Sequence, residues 1–431
     1  MFVDGRPETI YALFAFAVAA ICAWLLVPVA ERFAWRIGAV DRPKERSLHE
    51  KPTPKLGGLA IFVGIAAALV LFLPWAPQTQ ALLAGAAVIT AVGVADDLLE
   101  LPALAKLAGQ TVAAAIPVFN GVNASVFTLP FVGGVDLRTV ELFDVGLVGP
   151  GEVHLGHLLT IVGIVAVINV INLIDGVDGL AAGVCVISAG ALSVIALSLD
   201  RVGAGVLAAL TAGGALGFLR HGFPPASSFM GDTGSNLLGY LLGAIAVQGA
   251  LKTNAVVALF FPLVILAVPI LDTGFVVAKR IKYRRPPWRA DTSHFHHRMA
   301  NIGFSQRRTL AYLYGWAAVM AGLALALRFV PYSDDAGNFD PLWTAVMAAC
   351  LLATAAASIY LVITLEILKL RRARFRDLLG ARGEAPPGAE VDEGVARELE
   401  TGTFAAVNPE TGEFEAIDPE TGEFEAIEPD S

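Results

Sequence analysis

The chain has 431 residues, of which 56% are hydrophobic and only 16% charged. A soluble domain runs nearer a quarter charged, so the composition excludes a water-soluble globular protein and points to lipid as the solvent. The net charge of −9 is uneven: residues 384–431 hold 15 acidic residues and one basic residue, Arg397, whereas the rest holds 29 basic and 24 acidic.

A bilayer core about 30 Å thick takes about 20 apolar residues per helix. Eleven spans are predicted, near 10–30, 57–75, 81–96, 103–120, 156–173, 180–198, 203–220, 234–250, 255–279, 309–328 and 342–367. The expected fold is an all-α polytopic integral membrane protein of ten or eleven transmembrane helices. The lower count holds if the connector 97–102 or 174–179 re-enters the membrane. No cleavable signal peptide is expected, because residues 1–10 lack a basic region.

Basic residues in short loops set the orientation. Loop 31–55 holds seven (Arg32, Arg36, Arg42, Lys44, Arg46, Lys51 and Lys55), and segment 279–308 holds nine. Loop 74–80 has none, and 121–155 has only Arg138. Lys369, Arg371, Arg372, Arg374 and Arg376 follow the last span. Threading eleven spans puts every basic segment on one face, with the N-terminus outside. Between spans, Ser125–Leu129 and Val135–Val140 are expected to form a small outer hairpin. Cys22, Cys185 and Cys350 lack metal-ligand spacing and are expected to be small buried hydrophobes.

The membrane domain is expected to cover 1–376, and 377–431 to be a disordered cytoplasmic tail. That tail repeats NPETGEFEAI at 408–417 as DPETGEFEAI at 418–427. Its acidity and scarcity of large apolar residues argue against a packed core.

Five polar clusters share the predicted cytoplasmic face. The first is Ser47-Leu-His49-Glu-Lys51, before Lys55 and Gly57-Gly58. Its cations suit a lipid phosphate or a nucleotide, although topology alone would explain them. The second is Asp96-Asp97 at the end of the third span. Adjacent carboxylates repel unless a cation or a proton relieves them, and acids at a membrane edge are functional candidates.

The third cluster runs Asn169, Asn172, Asp175, Asp178, with Gly176 and Gly179. A spacing of three puts Asn169, Asn172 and Asp175 on one helix face. Such oxygens suit Mg²⁺, which binds through one or two protein ligands plus phosphates. The fourth is Gly231-Asp232-Thr-Gly234-Ser235-Asn236 at a predicted helix start, which would offer N–H groups to a phosphate and a carboxylate to a metal. The fifth is His294-Phe-His296-His297-Arg298, in a loop with Arg284, Arg285 and Arg289. With no cysteine ligand nearby, a diphosphate-binding surface is more natural than a zinc site.

In this order the clusters resemble the polyprenyl-phosphate N-acetylhexosamine-1-phosphate transferases of the glycosyltransferase 4 family, over about Asp41 to Arg308. The interrupted histidines followed by Arg298 resemble the WecA/TagO branch more than the MraY enzymes. The resemblance implies a UDP-N-acetylhexosamine donor, most closely UDP-GlcNAc, and an undecaprenyl or decaprenyl phosphate acceptor. The products are the polyprenyl-diphospho-sugar and UMP. The alternative within the family is transfer of phospho-MurNAc-pentapeptide.

The resemblance further implies Mg²⁺, with Mn²⁺ able to stand in, at Asn172 and Asp232. It puts Asp175 and Asp178 by the nucleotide and diphosphate, and Asp96 and Asp97 by the lipid phosphate. It puts Lys51, Asn169, His294, His296, His297 and Arg298 on the substrates. The implied setting is the bacterial cytoplasmic membrane, with the bilayer as a partner and no nucleic acid; a homodimer stays open. A transporter is the reading of another class. It would carry polar residues at mid-membrane and repeats among its spans, whereas the acids here gather at one face.

Overall fold

The structure, a computed structural model, describes residues 7–42, 52–123, 126–129, 133–144, 152–250, 266–267, 270, 299, 304–332 and 340–360, with strand pairs at 406–407 and 414–415. Two compact units divide the chain: residues 1–289 with 305–352, and residues 290–304 with 353–431.

The first unit is a helical bundle. Its elements are α1 (Pro7–Ile37), α2 (Gly57–Phe72), α3 (Pro77–Leu99), α4 (Ala103–Phe119), α5 (Leu155–Ile174), α6 (Leu180–Ser198), α7 (Val202–Gly222), α8 (Gly231–Ala250) and α9 (Gln306–Phe329). Helix α10 follows as Pro341–Tyr360. Among the described residues, seven of these helices are long and apolar enough to cross a membrane, and α2 and α4 are shorter apolar helices. Ten of the eleven expected spans coincide with these helices; span 255–279 lies almost wholly outside the described residues. Within the connectors 97–102 and 174–179, residues 97–99 finish α3 and Ile174 finishes α5, so only 100–102 and 175–179 link the helices.

Small residues set the packing. The α1 stripe Ala12, Ala15, Ala19, Ala23, Val27, Ala30 and Ala34 is buried, while Tyr11, Phe14, Trp24 and Trp35 are exposed on its other face. A methyl at Gly217 of α7 would overlap the Ala20 carbonyl of α1. Small residues at such crossings let backbones approach within van der Waals distance, the usual route to helix association in lipid. Helices α6 and α7 are buried on most sides, whereas α1, α5 and α10 leave most of their surface open. Cys185 of α6 is buried as expected. Cys350 is exposed, contrary to expectation, because α10 presents most of its surface outward.

The chain alternates between the two ends of the bundle. One end collects the C-termini of α1, α3, α5 and α7 and the N-termini of α2, α4, α6 and α8. There β1 (Val40–Asp41) pairs with β2 (Thr53–Pro54), ahead of α2. At the other end, β3 (Val126–Leu129) pairs antiparallel with β4 (Gly133–Asp136), and β5 (Glu141–Asp144) with β6 (Glu152–His154). The expected hairpin is present, but Gly133-Gly134 lies within its second strand and a second hairpin follows.

In the second unit, Phe304 N–H donates to the Met299 carbonyl at 3.0 Å. In the tail, β7 (Ala406–Val407), just before the first repeat, pairs antiparallel with β8 (Phe414–Glu415) within it.

Candidate active site

The site is built where α3, α4, α5 and α8 converge. Helix α8 begins at Gly231, whose φ of +65° favours glycine. A Cβ there would also overlap the Asp97 carboxylate. Asp232 is therefore the second residue of the helix, as expected. The expectation that its N–H groups lie open to a phosphate is corrected. Asp97 accepts from Asp232 N–H at 3.0 Å, Thr233 N–H at 3.0 Å and Thr233 Oγ1 at 2.7 Å. A carboxylate from α3 thus caps α8 and complements its positive end.

Gly93 makes this cap reachable. A Cβ at Gly93 would overlap the Thr233 backbone, so α3 and α8 touch backbone to backbone. Asp97 lies four residues on, over the same face. The adjacent Asp96 is buried. Its Oδ1 accepts Leu101 N–H at 2.8 Å, closing the turn into α4, and its Oδ2 is ion-paired with Lys106.

Lys106 also reaches Asp232 Oδ2 at 3.1 Å. Sequence reasoning missed it, although it is the only charge within α4 and intramembrane charges are functional candidates by default. It bridges the two aspartate motifs. The other oxygen of Asp232, Oδ1, accepts from Asn172 Nδ2 at 2.6 Å, and the same nitrogen lies 3.0 Å from Ser235 Oγ.

Asn169, one turn before Asn172, faces α4. Its Nδ2 donates to Gln110 Oε1 at 2.8 Å and to the Val165 carbonyl at 2.8 Å. Gln110 Nε2 in turn meets Asn236 Oδ1 at 3.5 Å. Asn169 thus links α5 to α4, and a substrate contact would fall to its Oδ1. Asp175 ends α5. Burial pushes its carboxyl well above the usual range, and the charges of Asp232, Asp97 and Asp178 push the same way. Asp178 Oδ2 accepts Ala226 N–H at 3.2 Å, joining the α5–α6 turn to the loop before α8.

The α1–α2 connection closes the site from a third side. Phe229 N–H donates to the Pro54 carbonyl at 2.8 Å, and Gly57 N–H donates to the Phe229 carbonyl at 2.9 Å. Lys55 pairs with Asp41 at 3.6 Å rather than with the acid cluster. Lys51, His294, His296, His297 and Arg298 lie outside the described residues.

The arrangement is chemically unbalanced. Among the described residues, Lys106 bridges Asp96 and Asp232, while Asp97 is committed to α8 and Asp175 feels the charges of Asp232, Asp97 and Asp178. Among the described residues, no three acidic or histidine side chains form a closed metal cage.

Residues 79–250, which carry Asp96, Asp97, Lys106, Asn169, Asn172, Asp175, Asp178 and Asp232, match the family model described as glycosyl transferase family 4. A probable undecaprenyl-phosphate N-acetylglucosaminyl 1-phosphate transferase of Bacillus subtilis (strain 168) is 35% identical over 315 residues, covering 73% of this chain and 84% of the relative. The chain belongs to glycosyl transferase family 4.

A second relative is a decaprenyl-phosphate N-acetylglucosaminephosphotransferase of Mycolicibacterium smegmatis. It is 36% identical over 342 residues, 73% of this chain and 81% of the relative. A phospho-N-acetylmuramoyl-pentapeptide-transferase of Desulforamulus reducens is 30% identical over 315 residues, 69% of this chain and 88% of the relative. The family 4 match covers the second, third and fourth polar clusters of the sequence and also Lys106.

Proposed function

We propose that this chain transfers N-acetylglucosamine 1-phosphate from UDP-N-acetylglucosamine to undecaprenyl or decaprenyl phosphate, releasing UMP, as a first membrane step of cell-wall or surface-glycan synthesis. The observation that carries this is Asp232, held between Lys106 and Asn172 at one end of a membrane bundle, in a chain whose relatives bear the names given above. An oxygen of the lipid phosphate attacks the sugar-bearing phosphorus. The bond from that phosphorus to the bridging oxygen breaks, and UMP leaves with that oxygen.

Phosphoryl transfer asks chiefly for positioning and positive charge. Lys106 supplies charge at Asp96 and Asp232. Asp97 has both oxygens committed to α8, which supports a role in placing Asp232 rather than in taking a proton. A lipid phosphate is already largely ionised near neutral pH and needs little from a base.

Mg²⁺ fits the residues present, with Mn²⁺ as a substitute. Its oxygen ligands would be the Asp232 carboxylate and the Asn172 amide, whose nitrogen and oxygen exchange places by a flip. Asp96 and Asp232 share the single positive charge of Lys106, which leaves a negative charge for a divalent cation to offset. When bound, the ion supplies positive charge to the diphosphate oxygens.

The site end is also the end where α1 finishes and α2 starts, flanking the basic segment 31–55, which supports a site facing the cytoplasm of a bacterial cell. The test is purified protein with Mg²⁺, a polyprenyl phosphate and a panel of UDP-sugars, assayed for UMP. Release with UDP-GlcNAc is expected, and chelation should abolish it. No release with any UDP-N-acetylhexosamine overturns the function. Release with UDP-MurNAc-pentapeptide alone moves the chain to the other branch.

A further inference from the structure

Helix α9 lies outside the residues matched to the family, yet it holds both loops that carry the site aspartates. Tyr314 OH donates to the Gly179 carbonyl at 2.6 Å, at the end of the turn carrying Asp175 and Asp178. Its ring lies against Gly183, one turn further along α6, where a Cβ would overlap it. Seven residues earlier on α9, Arg307 donates to the Pro224 carbonyl from Nε at 3.3 Å and from Nη2 at 3.2 Å. Pro224 opens the loop that leads into Gly231 and Asp232. Asp178, accepting from Ala226 N–H, joins the two loops to each other.

We propose that Tyr314 and Arg307 are positioning residues for transfer: α9 clasps the Asp175–Gly179 turn to the Pro224–Met230 loop and so sets where Asp175 and Asp178 stand relative to Asp232. Three independent bonds close a triangle between α9 and the two loops. Neither loop has regular secondary structure of its own; the end of the second loop is held by Pro54 and Gly57 through Phe229, and the clasp holds its start at Pro224 and the Asp175–Gly179 turn. Supporting interactions of this kind act through placement, and misplacement of a reacting group by about 1 Å costs about a hundredfold in rate.

The far end of α9 provides an internal control. Arg328 donates from Nε to Ser198 Oγ at 2.9 Å and from Nη2 to the Ser198 carbonyl at 2.8 Å. It joins the same two helices, α9 and α6, at the end remote from the site.

The inference rests on the transferase reading, so the experiment uses one measurement that needs activity and one that does not. In Tyr314→Phe the ring and its packing on Gly183 remain. Its kcat is expected to fall roughly tenfold or more, with KM for the lipid phosphate within twofold of wild type and any fall in thermal midpoint no larger than in Arg328→Gln. Arg307→Gln should behave alike, and Arg307→Lys should recover part of the loss. Arg328→Gln should lower the thermal midpoint and leave kcat intact.

Hydrogen exchange gives the second measurement. The Ala226, Asp232 and Thr233 amides should exchange faster in Tyr314→Phe and unchanged in Arg328→Gln. Unchanged exchange and a wild-type kcat in Tyr314→Phe overturn the clasp. An equal fall of kcat in Arg328→Gln also overturns it, since the effect is then general destabilisation. Faster exchange in Tyr314→Phe, when the wild-type protein itself releases no UMP, would instead sink the transferase reading and leave the clasp standing.

Discussion

Asp232 was legible in the sequence because glycines on both sides marked a helix start. Its partners were legible in unequal degree. Asn172 stood out in an asparagine-rich run that shares one helix face. Lys106 did not, because a lone lysine among alanines and leucines has no local pattern; only folding α4 back beside α3 brings it to Asp96. Asp97 was legible as a site residue, but its use was not. Capping a helix 135 residues away in the chain depends on tertiary contact alone. These bonds make Asp232 the residue whose charge the site can least replace. Asp232→Asn keeps the volume and a hydrogen-bonding group but removes the carboxylate that faces Lys106. Turnover is expected to fall at least about a hundredfold, as when an electrostatic contact in a transferase site is lost. The thermal midpoint should stay close to wild type. Activity within a few-fold of wild type would show that Asp232 carries no essential charge.

The helices themselves were legible because lipid demands long apolar runs, and ten spans fell where the runs lay. Their mutual contacts were not, since alanine and glycine mark a close approach without saying to which neighbour. Gly58 and Gly93 show the point: a Cβ at Gly58 would overlap the Gly234 backbone, and one at Gly93 the Thr233 backbone. Both pin the first turn of α8, one from α2 and one from α3. Gly93→Val should push α3 off α8 and pull Asp97 out of reach of the Asp232 and Thr233 N–H groups. Overpacking of this kind costs about 1–3 kcal/mol, and two helix-end donors lose their acceptor as well. The expected result is a lowered thermal midpoint and loss of UMP release together. Gly163→Ala is the matched control, because a methyl there meets nothing within 4 Å. A Gly93→Val protein as stable and active as that control would contradict the close packing of α3 on α8.

Taken whole, the chain separates charge by location. The acidic tail of 384–431 masks a body with more basic than acidic residues, and the end of α1 and the start of α2, which flank the basic segment 31–55, lie at the same end of the bundle as Asp96, Asp97, Asn172 and Asp232. The bundle fixes which loops share an end; the bilayer decides which end faces the cytoplasm. Lysine and arginine in short loops make that decision, so the aspartate end should face inward and the β-hairpins outward. Ala103→Cys, exposed at the start of α4, reports the first end. Thr139→Cys, exposed between the hairpins, reports the other. Each is placed in a protein whose own three cysteines are replaced, expressed in bacteria and treated with a membrane-impermeant maleimide. In intact spheroplasts Thr139→Cys should label and Ala103→Cys should not; permeabilisation should expose Ala103→Cys. The reverse pattern would put the aspartates outside, away from any cytoplasmic nucleotide sugar, and would sink the proposed reaction along with the orientation.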